Sequence, residues 1–246
     1  MTDERDPRLD AALQALARPP EASAEVEGAE ARLGATKQAV ASETGFVTTV
    51  RQLPTPARLA IAAVAMAALA TIVLLVNARA DLGEYPALRL AMEGASSAAL
   101  ALILTSVALR GPHKAAASSG VTWGLAIAAV ALPAALALVP PENLMLPGAK
   151  GGEGTFVKDV MACFLYGSAA ALPILGTLAV LQRLPPTRAR VSALAAAGAG
   201  LGGVLALQMH CPIALRDHLL IGHATVPLAA MLVILLVRRA FGGKPR

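Results

Sequence analysis

Charged side chains are scarce in this sequence. Only 15% of its 246 residues are Asp, Glu, Lys or Arg, whereas 56% are hydrophobic, and soluble domains carry about a quarter charged residues. This scarcity excludes an ordinary soluble domain. The apolar residues are gathered into six long runs, each of about 20 residues, which is the length that a helix needs to cross the hydrocarbon core of a bilayer.

The apolar runs lack the alternation that is typical of transmembrane barrel strands. Because lipid offers no hydrogen-bond partner to the backbone, a helix is the remaining structure that can span. We therefore predict an all-α, polytopic membrane protein, a six-transmembrane-helix bundle with a short cytoplasmic N-terminal helical segment. The predicted spans are Leu59–Asn77, Ala87–Leu109, Val121–Val139, Phe156–Leu181, Val191–Met209 and His218–Val237.

The start of the sequence lacks the features of a signal peptide, because MTDERDPRLD has no basic start that leads into an apolar core. Eleven Lys and Arg residues lie near span ends on the side of the N-terminal segment, and five lie on the other side. Cytoplasmic loops carry such an excess, so we expect both termini to be cytoplasmic, in a bacterial inner membrane. Attraction to an anionic lipid bilayer accounts for the basic isoelectric point of about 9.7, and no direct nucleic-acid partner is expected.

The first 57 residues differ in charge from the rest of the chain. They contain nine acidic and six basic side chains, although the whole chain has a net charge of +5. We predict three parts: a cytoplasmic acidic segment (1–57), a six-helix transmembrane domain (58–238) and a cytoplasmic basic tail (239–246).

An apolar stripe runs through the acidic segment, where Leu9, Leu13 and Leu16 fall at helical spacing. Such a stripe can fold into the groove of a protein partner. The alternative is a disordered tail that forms helices only transiently, and the two interpretations are compatible.

The fifth span contains GAGLGG, from Gly198 to Gly203. A dinucleotide-binding loop would require a strand before it and a helix after it, whereas this stretch lies in the middle of a predicted membrane helix. Small residues at four-residue spacing let two membrane helices approach closely. We therefore predict a packing role for this stretch.

The chain has only two cysteines and four histidines, and the predicted topology brings most of them to its outer face. These are Cys163, Cys211, His210, His218 and His223. Two interpretations stay open for the cysteines: a disulfide, which an oxidising compartment permits, or a soft divalent metal such as zinc or cadmium. The sequence contains neither HExxH nor CxxC, and each residue alone could equally be a packing residue.

The spacing of the last two histidines limits a metal site. Five residues correspond to about 500° of rotation, so His218 and His223 would diverge by about 140° on a regular α-helix. The predicted metal ligands are therefore Cys163, Cys211 and His218. His210, His218 and His223 are all candidates to bind the metal or to tune the site, with His218 the favoured ligand among them.

Glu93 is the only acidic residue in the interior of a predicted span, since Asp159 lies in the first turn of the fourth span, and Arg89 stands one turn before Glu93. Buried charges often mark transport paths, which makes a small transporter or permease subunit an alternative. We expect instead that the two side chains form a neutralised pair near the membrane interface. No enzymatic activity is expected.

An ordered set of short motifs resembles the NrsF-like family of integral-membrane anti-sigma factors. The motifs are RADL (Arg79–Leu82), ACFLYGSAAALPILGTLAVLQR (Ala162–Arg183) and GAGLGGVLALQMHCP (Gly198–Pro212), which ends in HCP. The similarity extends from about Arg58 to the C-terminus. The sequence differs from the family in reading RDHLLIGH where an aromatic pair is expected after the CP, and in its longer N-terminal segment.

The resemblance implies a function. Such proteins hold an extracytoplasmic-function (ECF) sigma factor through the cytoplasmic segment, and release it when an external signal is sensed in part through two cysteines, here Cys163 and Cys211. Leu9, Leu13 and Leu16 would then bind the sigma factor. A metal- or redox-handling membrane protein without a sigma partner stays an alternative, and a homo-oligomer is compatible with the sequence.

Overall fold

A computed structural model describes residues 45–110, 117–139, 155–182, 189–213 and 215–241. Within these ranges every regular element is helical, which confirms the predicted all-α class. The chain divides into two units between Thr48 and Thr49, and the features below belong to the second unit. The predicted sigma-binding residues Leu9, Leu13 and Leu16 lie outside the described residues.

Six helices are long and apolar enough to cross a membrane, as predicted. A short helix α1 precedes them, and the sixth combines α7, a π-helical segment and α8. The elements are α1 (Gly45–Gln52), α2 (Thr55–Asn77), α3 (Ala87–Ala108), α4 (Ser119–Leu138), α5 (Phe156–Leu181), α6 (Ala189–His210), α7 (Arg216–His218), the π-helical segment (Leu219–His223) and α8 (Thr225–Phe241). The protein is therefore a multi-pass membrane protein.

Successive spans run in opposite directions, so each end of the bundle collects alternate helix termini. The end at which α2, α4 and α6 finish is called the site end. The opposite end, at which α2 begins and at which α3 and α5 finish, is called the arginine end.

Helix α6 is the centre of the bundle. Its membrane window is 89% buried, whereas the windows of the other five spans are 17 to 33% buried. It packs against α2, α3, α4, α5 and α8. The alanines and glycines of α6 explain this position, because small side chains let several neighbouring helices approach one axis.

Two glycines of α6 approach the backbone of a neighbouring helix most closely. A Cβ atom added to Gly203 would overlap the backbone carbonyl oxygen of Gly167 on α5. A Cβ atom on Gly200 would lie 2.6 Å from the Cα atom of Pro227 on α8. The packing role predicted for this glycine-rich stretch agrees with both contacts.

Gly203→Ala is expected to destabilise the folded protein by about 1–3 kcal/mol, the usual cost of overpacking a close contact. The backbone of α5 cannot yield as a flexible side chain would. Gly176→Ala is the matched control, since a Cβ atom there meets nothing within 4 Å. Thermal unfolding in detergent measures both, and equal midpoints for the two variants would contradict the packing.

A buried arginine joins three helices at the arginine end. Arg58, only 1% exposed, donates hydrogen bonds to the carbonyl oxygens of Leu109 and Leu181, each at 2.9 Å. These oxygens lie at the ends of α3 and α5, where a helix leaves its last carbonyls unpaired. Arg51 donates in the same way to the carbonyl oxygen of Val180 on α5.

Candidate metal centre

Two cysteines meet at the site end. Cys163 lies on α5, about 10 Å below the first residue of that helix by the α-helical rise, and Cys211 directly follows α6. Helices α5 and α6 are neighbours, and the two Sγ atoms lie 3.4 Å apart. Both thiols are free and buried. The prediction that the two cysteines lie close together is therefore confirmed.

Two histidines of the sixth span complete the cluster. The Nε2 atom of His218 lies 3.4 Å from the Sγ atom of Cys211. The ring of His223 meets the ring of His218 edge to face, with 5.6 Å between centroids. One ligand atom from each of Cys163, Cys211, His218 and His223 lies within 4.8 Å of all the others. These four residues are called the Cys2His2 cluster.

The expectation that His218 and His223 face different directions is wrong. It assumed a regular α-helix, but residues Leu219–His223 form a π-helical segment. The N–H group of Ala224 donates to the carbonyl oxygen of Leu219 at 3.0 Å, a bond across five residues. Because this bonding brings residues five apart onto one side of the helix, both imidazoles face the cysteines.

The local sequence favours this distortion. Pro227 has no N–H group to donate to the carbonyl of His223, so the regular α-helical ladder is interrupted there. Gly222 lets the π-helical segment approach α5, because a Cβ atom there would lie 3.4 Å from the carbonyl oxygen of Val160 and 3.6 Å from the Cβ atom of Cys163. The π-helical segment therefore packs closely against α5, the helix that carries Cys163.

The cluster is enclosed by apolar side chains. Val204, Leu207 and Val226 pack around the two cysteines. His218 is 1% exposed and His223 5%. The Nε2 atom of His223 is buried and has no hydrogen-bond partner among the described residues, which is costly for a polar group away from water.

The environment of Cys211 favours the neutral thiol. Its hydrogen bond with Cys163 and its burial raise the pKa of the Cys211 thiol above its ordinary value, while the neighbouring histidines act in the opposite direction. A proton therefore stays on this thiol unless oxidation or a cation displaces it. The cluster can do two things chemically: form a disulfide, or bind a soft cation.

The structure does not bring His210 into the cluster. Its Nδ1 atom lies 3.0 Å from the carbonyl oxygen of Asn77, and its ring stacks on Tyr166 of α5 with 4.2 Å between centroids. His210 therefore joins the ends of α2 and α6 to α5. His210 makes structural contacts beside the cluster and is not one of its four residues.

Sequence reasoning missed Arg79 as a support of the site. The backbone N–H of Arg79 donates to the carbonyl oxygen of Met209 at 2.9 Å, and its guanidinium donates to Asp81 at 2.6 and 2.7 Å. The guanidinium also lies 3.9 Å from the ring centre of Tyr85. These contacts hold the end of α6, which directly precedes Cys211. The only sequence signal was the RADL motif.

The acidic residue in the interior of α3 is paired, as expected. Glu93 forms an ion pair with Arg89 and accepts a hydrogen bond from the hydroxyl group of Tyr85 at 3.1 Å. Arg89 also donates to the carbonyl oxygen of Leu136 at 2.7 Å. Burial and the neighbouring carboxylate raise the pKa of Tyr85. The hydrogen bond from Arg89 to Leu136 joins α3 to the end of α4.

Fold and site together define the class of this protein. It is a multi-pass membrane protein with a buried Cys2His2 cluster at one end of its helix bundle. No known protein family, curated protein or solved structure matches the chain.

Proposed function

We propose that the chain is an anti-sigma factor of the bacterial inner membrane with both termini in the cytoplasm. Residues 1–57 bind an ECF sigma factor, with Leu9, Leu13 and Leu16 in the interface. A metal or oxidative signal at Cys163 and Cys211 releases the sigma factor. The observation that carries the proposal is the pair of free, buried thiols 3.4 Å apart at one end of the bundle.

The position of the cluster suits a sensor. The chain enters α2 at the arginine end, whereas the cluster lies at the site end. The spans therefore separate the cluster from the point at which the acidic segment joins the membrane domain. A regulator that reports an external signal to a cytoplasmic partner requires such a separation.

A physical connection supports communication between the two ends. Helix α5 carries Cys163 near one terminus and Leu181 at the other, about 27 Å away by the α-helical rise. Arg58 and Arg51 donate to the carbonyl oxygens of Leu181 and Val180. A movement of α5 at the cluster would thus act on Arg51 and Arg58, where the acidic segment joins the membrane domain.

Removing residues 1–57 is expected to abolish repression of the sigma-dependent promoter completely, because the segment supplies the whole binding surface. The test combines a promoter reporter with co-purification of the full-length chain and each ECF sigma factor of the source organism. Leu9→Asp, Leu13→Asp and Leu16→Asp together should also release the sigma factor. Leu9→Met, Leu13→Met and Leu16→Met together, which keep the stripe apolar, are the matched control and should still repress.

The alternatives give different results. A metal- or redox-handling protein would keep its metal or thiol chemistry after residues 1–57 are removed and would bind no sigma factor at full length. A transporter would show flux in vesicles that depends on Glu93 or Arg89. Either result, together with an unchanged reporter, would reject the anti-sigma proposal.

A further inference from the structure

We propose that Cys163, Cys211, His218 and His223 form a closed, four-coordinate site for a soft divalent cation of the zinc class. The inference rests on the proposed function only in treating the cluster as the sensor, and it deepens that function by naming what the sensor binds. It adds His223, which the spacing on a regular helix had disfavoured, as the fourth ligand.

The distances fit tetrahedral coordination. With Zn–S near 2.3 Å and Zn–N near 2.0–2.1 Å, neighbouring ligand atoms of a tetrahedral site lie about 3.4–3.8 Å apart. The Sγ atoms of Cys163 and Cys211 are 3.4 Å apart, and the Nε2 atom of His218 is 3.4 Å from the Sγ atom of Cys211. All four ligand atoms lie within 4.8 Å of one another, so small side-chain adjustments would suffice.

The chemistry of the four residues selects the cation. Thiolate and imidazole favour zinc and similar soft ions, whereas Mg²⁺ and Ca²⁺ require oxygen ligands, which the cluster does not supply. A divalent cation displaces one proton from each thiol, and both protons pass to water. The resulting group of M²⁺ and two thiolates is neutral, which suits its apolar enclosure by Val204, Leu207 and Val226.

The buried imidazoles distinguish a metal site from a disulfide. A disulfide would join Cys163 and Cys211 and would leave the Nε2 atom of His223 buried without a partner, as it is now among the described residues. A metal ion would use all four side chains. It would also account for a π-helical segment that turns two histidines toward two cysteines, since such segments are frequent at functional sites.

Titration with Co²⁺ tests the proposal, because this ion replaces zinc and reports thiolate ligation and tetrahedral geometry by its absorption. The full-length chain is purified in detergent, reduced and handled without oxygen. We expect one equivalent of Co²⁺ to give thiolate-to-cobalt and intense d–d bands, and one equivalent of Zn²⁺ to remove them. A fully reduced protein that binds no Co²⁺ would overturn the proposal.

The matched variants assign the ligands. His223→Ala and His218→Ala should each weaken Co²⁺ binding by at least about 100-fold, because loss of an outer partner alone costs about 10–100-fold. His210→Ala, at the same end but outside the cluster, should bind like the unchanged protein. Circular dichroism confirms folding. Equal binding by His223→Ala and His210→Ala would remove His223 from the site.

Failure of this inference is distinguishable from failure of the proposed function. Metal binding is measured on the isolated chain and needs no sigma factor. A chain that binds Co²⁺ but no sigma factor would keep the site and refute the function. A chain that binds the sigma factor but no Co²⁺ would do the reverse.

Discussion

Replacing either Cys163 or Cys211 with serine is expected to abolish induction of the sigma-dependent promoter. Both thiols belong to the Cys2His2 cluster, and in the proposed metal site each is a ligand that serine replaces poorly for a soft cation. The induced-to-uninduced ratio should fall to about one, because loss of a ligand should weaken binding by at least about 100-fold. A promoter reporter measured over a range of Zn²⁺ or Cd²⁺ concentrations gives the result.

His223→Ala distinguishes a metal signal from an oxidative signal. An oxidant can induce through the cysteines alone, so His223→Ala should keep its response to oxidant if a disulfide is the signal. It should lose its response to metal if the Cys2His2 cluster binds the ion. His210→Ala is the control and should keep its response. An unchanged dose–response in both serine variants would leave the two thiols as packing residues.

Arg58→Met is expected to destabilise the transmembrane domain by about 3 kcal/mol and to weaken the dependence of the promoter on inducer. Hydrogen bonds from a charged donor contribute about 1.5–3 kcal/mol each, and Arg58 makes two of them to the buried carbonyl oxygens of Leu109 and Leu181. Their loss leaves the ends of α3 and α5 unpaired. Thermal unfolding in detergent measures the first effect, and the induced-to-uninduced ratio of the reporter measures the second.

Two further variants make the Arg58 result specific. Arg58→Lys keeps the charge but cannot reproduce the planar fork that reaches two helix ends, so it should resemble Arg58→Met. Arg239→Met removes an exposed charge in the last turn of α8 and should change neither measurement. If Arg58→Lys unfolds like the unchanged protein, the connection depends on charge and not on the two carbonyl contacts.

Hydrophobic runs were sufficient to predict the six spans. The fourth run, Phe156–Leu181, matches α5 at both ends, and the others differ from the observed helices by only a few residues. Every backbone N–H and C=O group must find a hydrogen-bond partner within the protein when it lies in lipid, and an apolar run of this length meets that requirement as a helix. Which helix lies at the centre was less evident, although the small residues of α6 indicated close packing.

The cysteine pair was predictable from topology, but the complete cluster was not. Alternation of span direction places Cys163 and Cys211 at one end whatever the details of packing. The position of His223 depends on the five-residue bond from Ala224 to Leu219, and helical periodicity assumes a regular ladder. Pro227 inside the sixth span was a signal of distortion, but its position alone does not specify a π-helical segment.

The structural roles of Arg58 and Arg79 could not be predicted from the sequence. From the sequence, Arg58 is one of the charges that set the membrane orientation, and Arg79 is such a charge within the RADL motif. Each is in fact buried, at 1% and 5% exposure, and donates to backbone carbonyl oxygens near helix ends. Such contacts join residues more than 50 positions apart, so no local pattern indicates them.

Metal-driven release of the sigma factor is the decisive experiment for a sensor at the Cys2His2 cluster. The full-length chain, reduced and bound to its sigma factor in detergent, is titrated with Zn²⁺ while the bound fraction of sigma factor is followed. We expect release as one equivalent of Zn²⁺ fills the cluster, and retention by His223→Ala at the same concentration. A sigma factor that stays bound after the cluster is filled would refute metal-driven release.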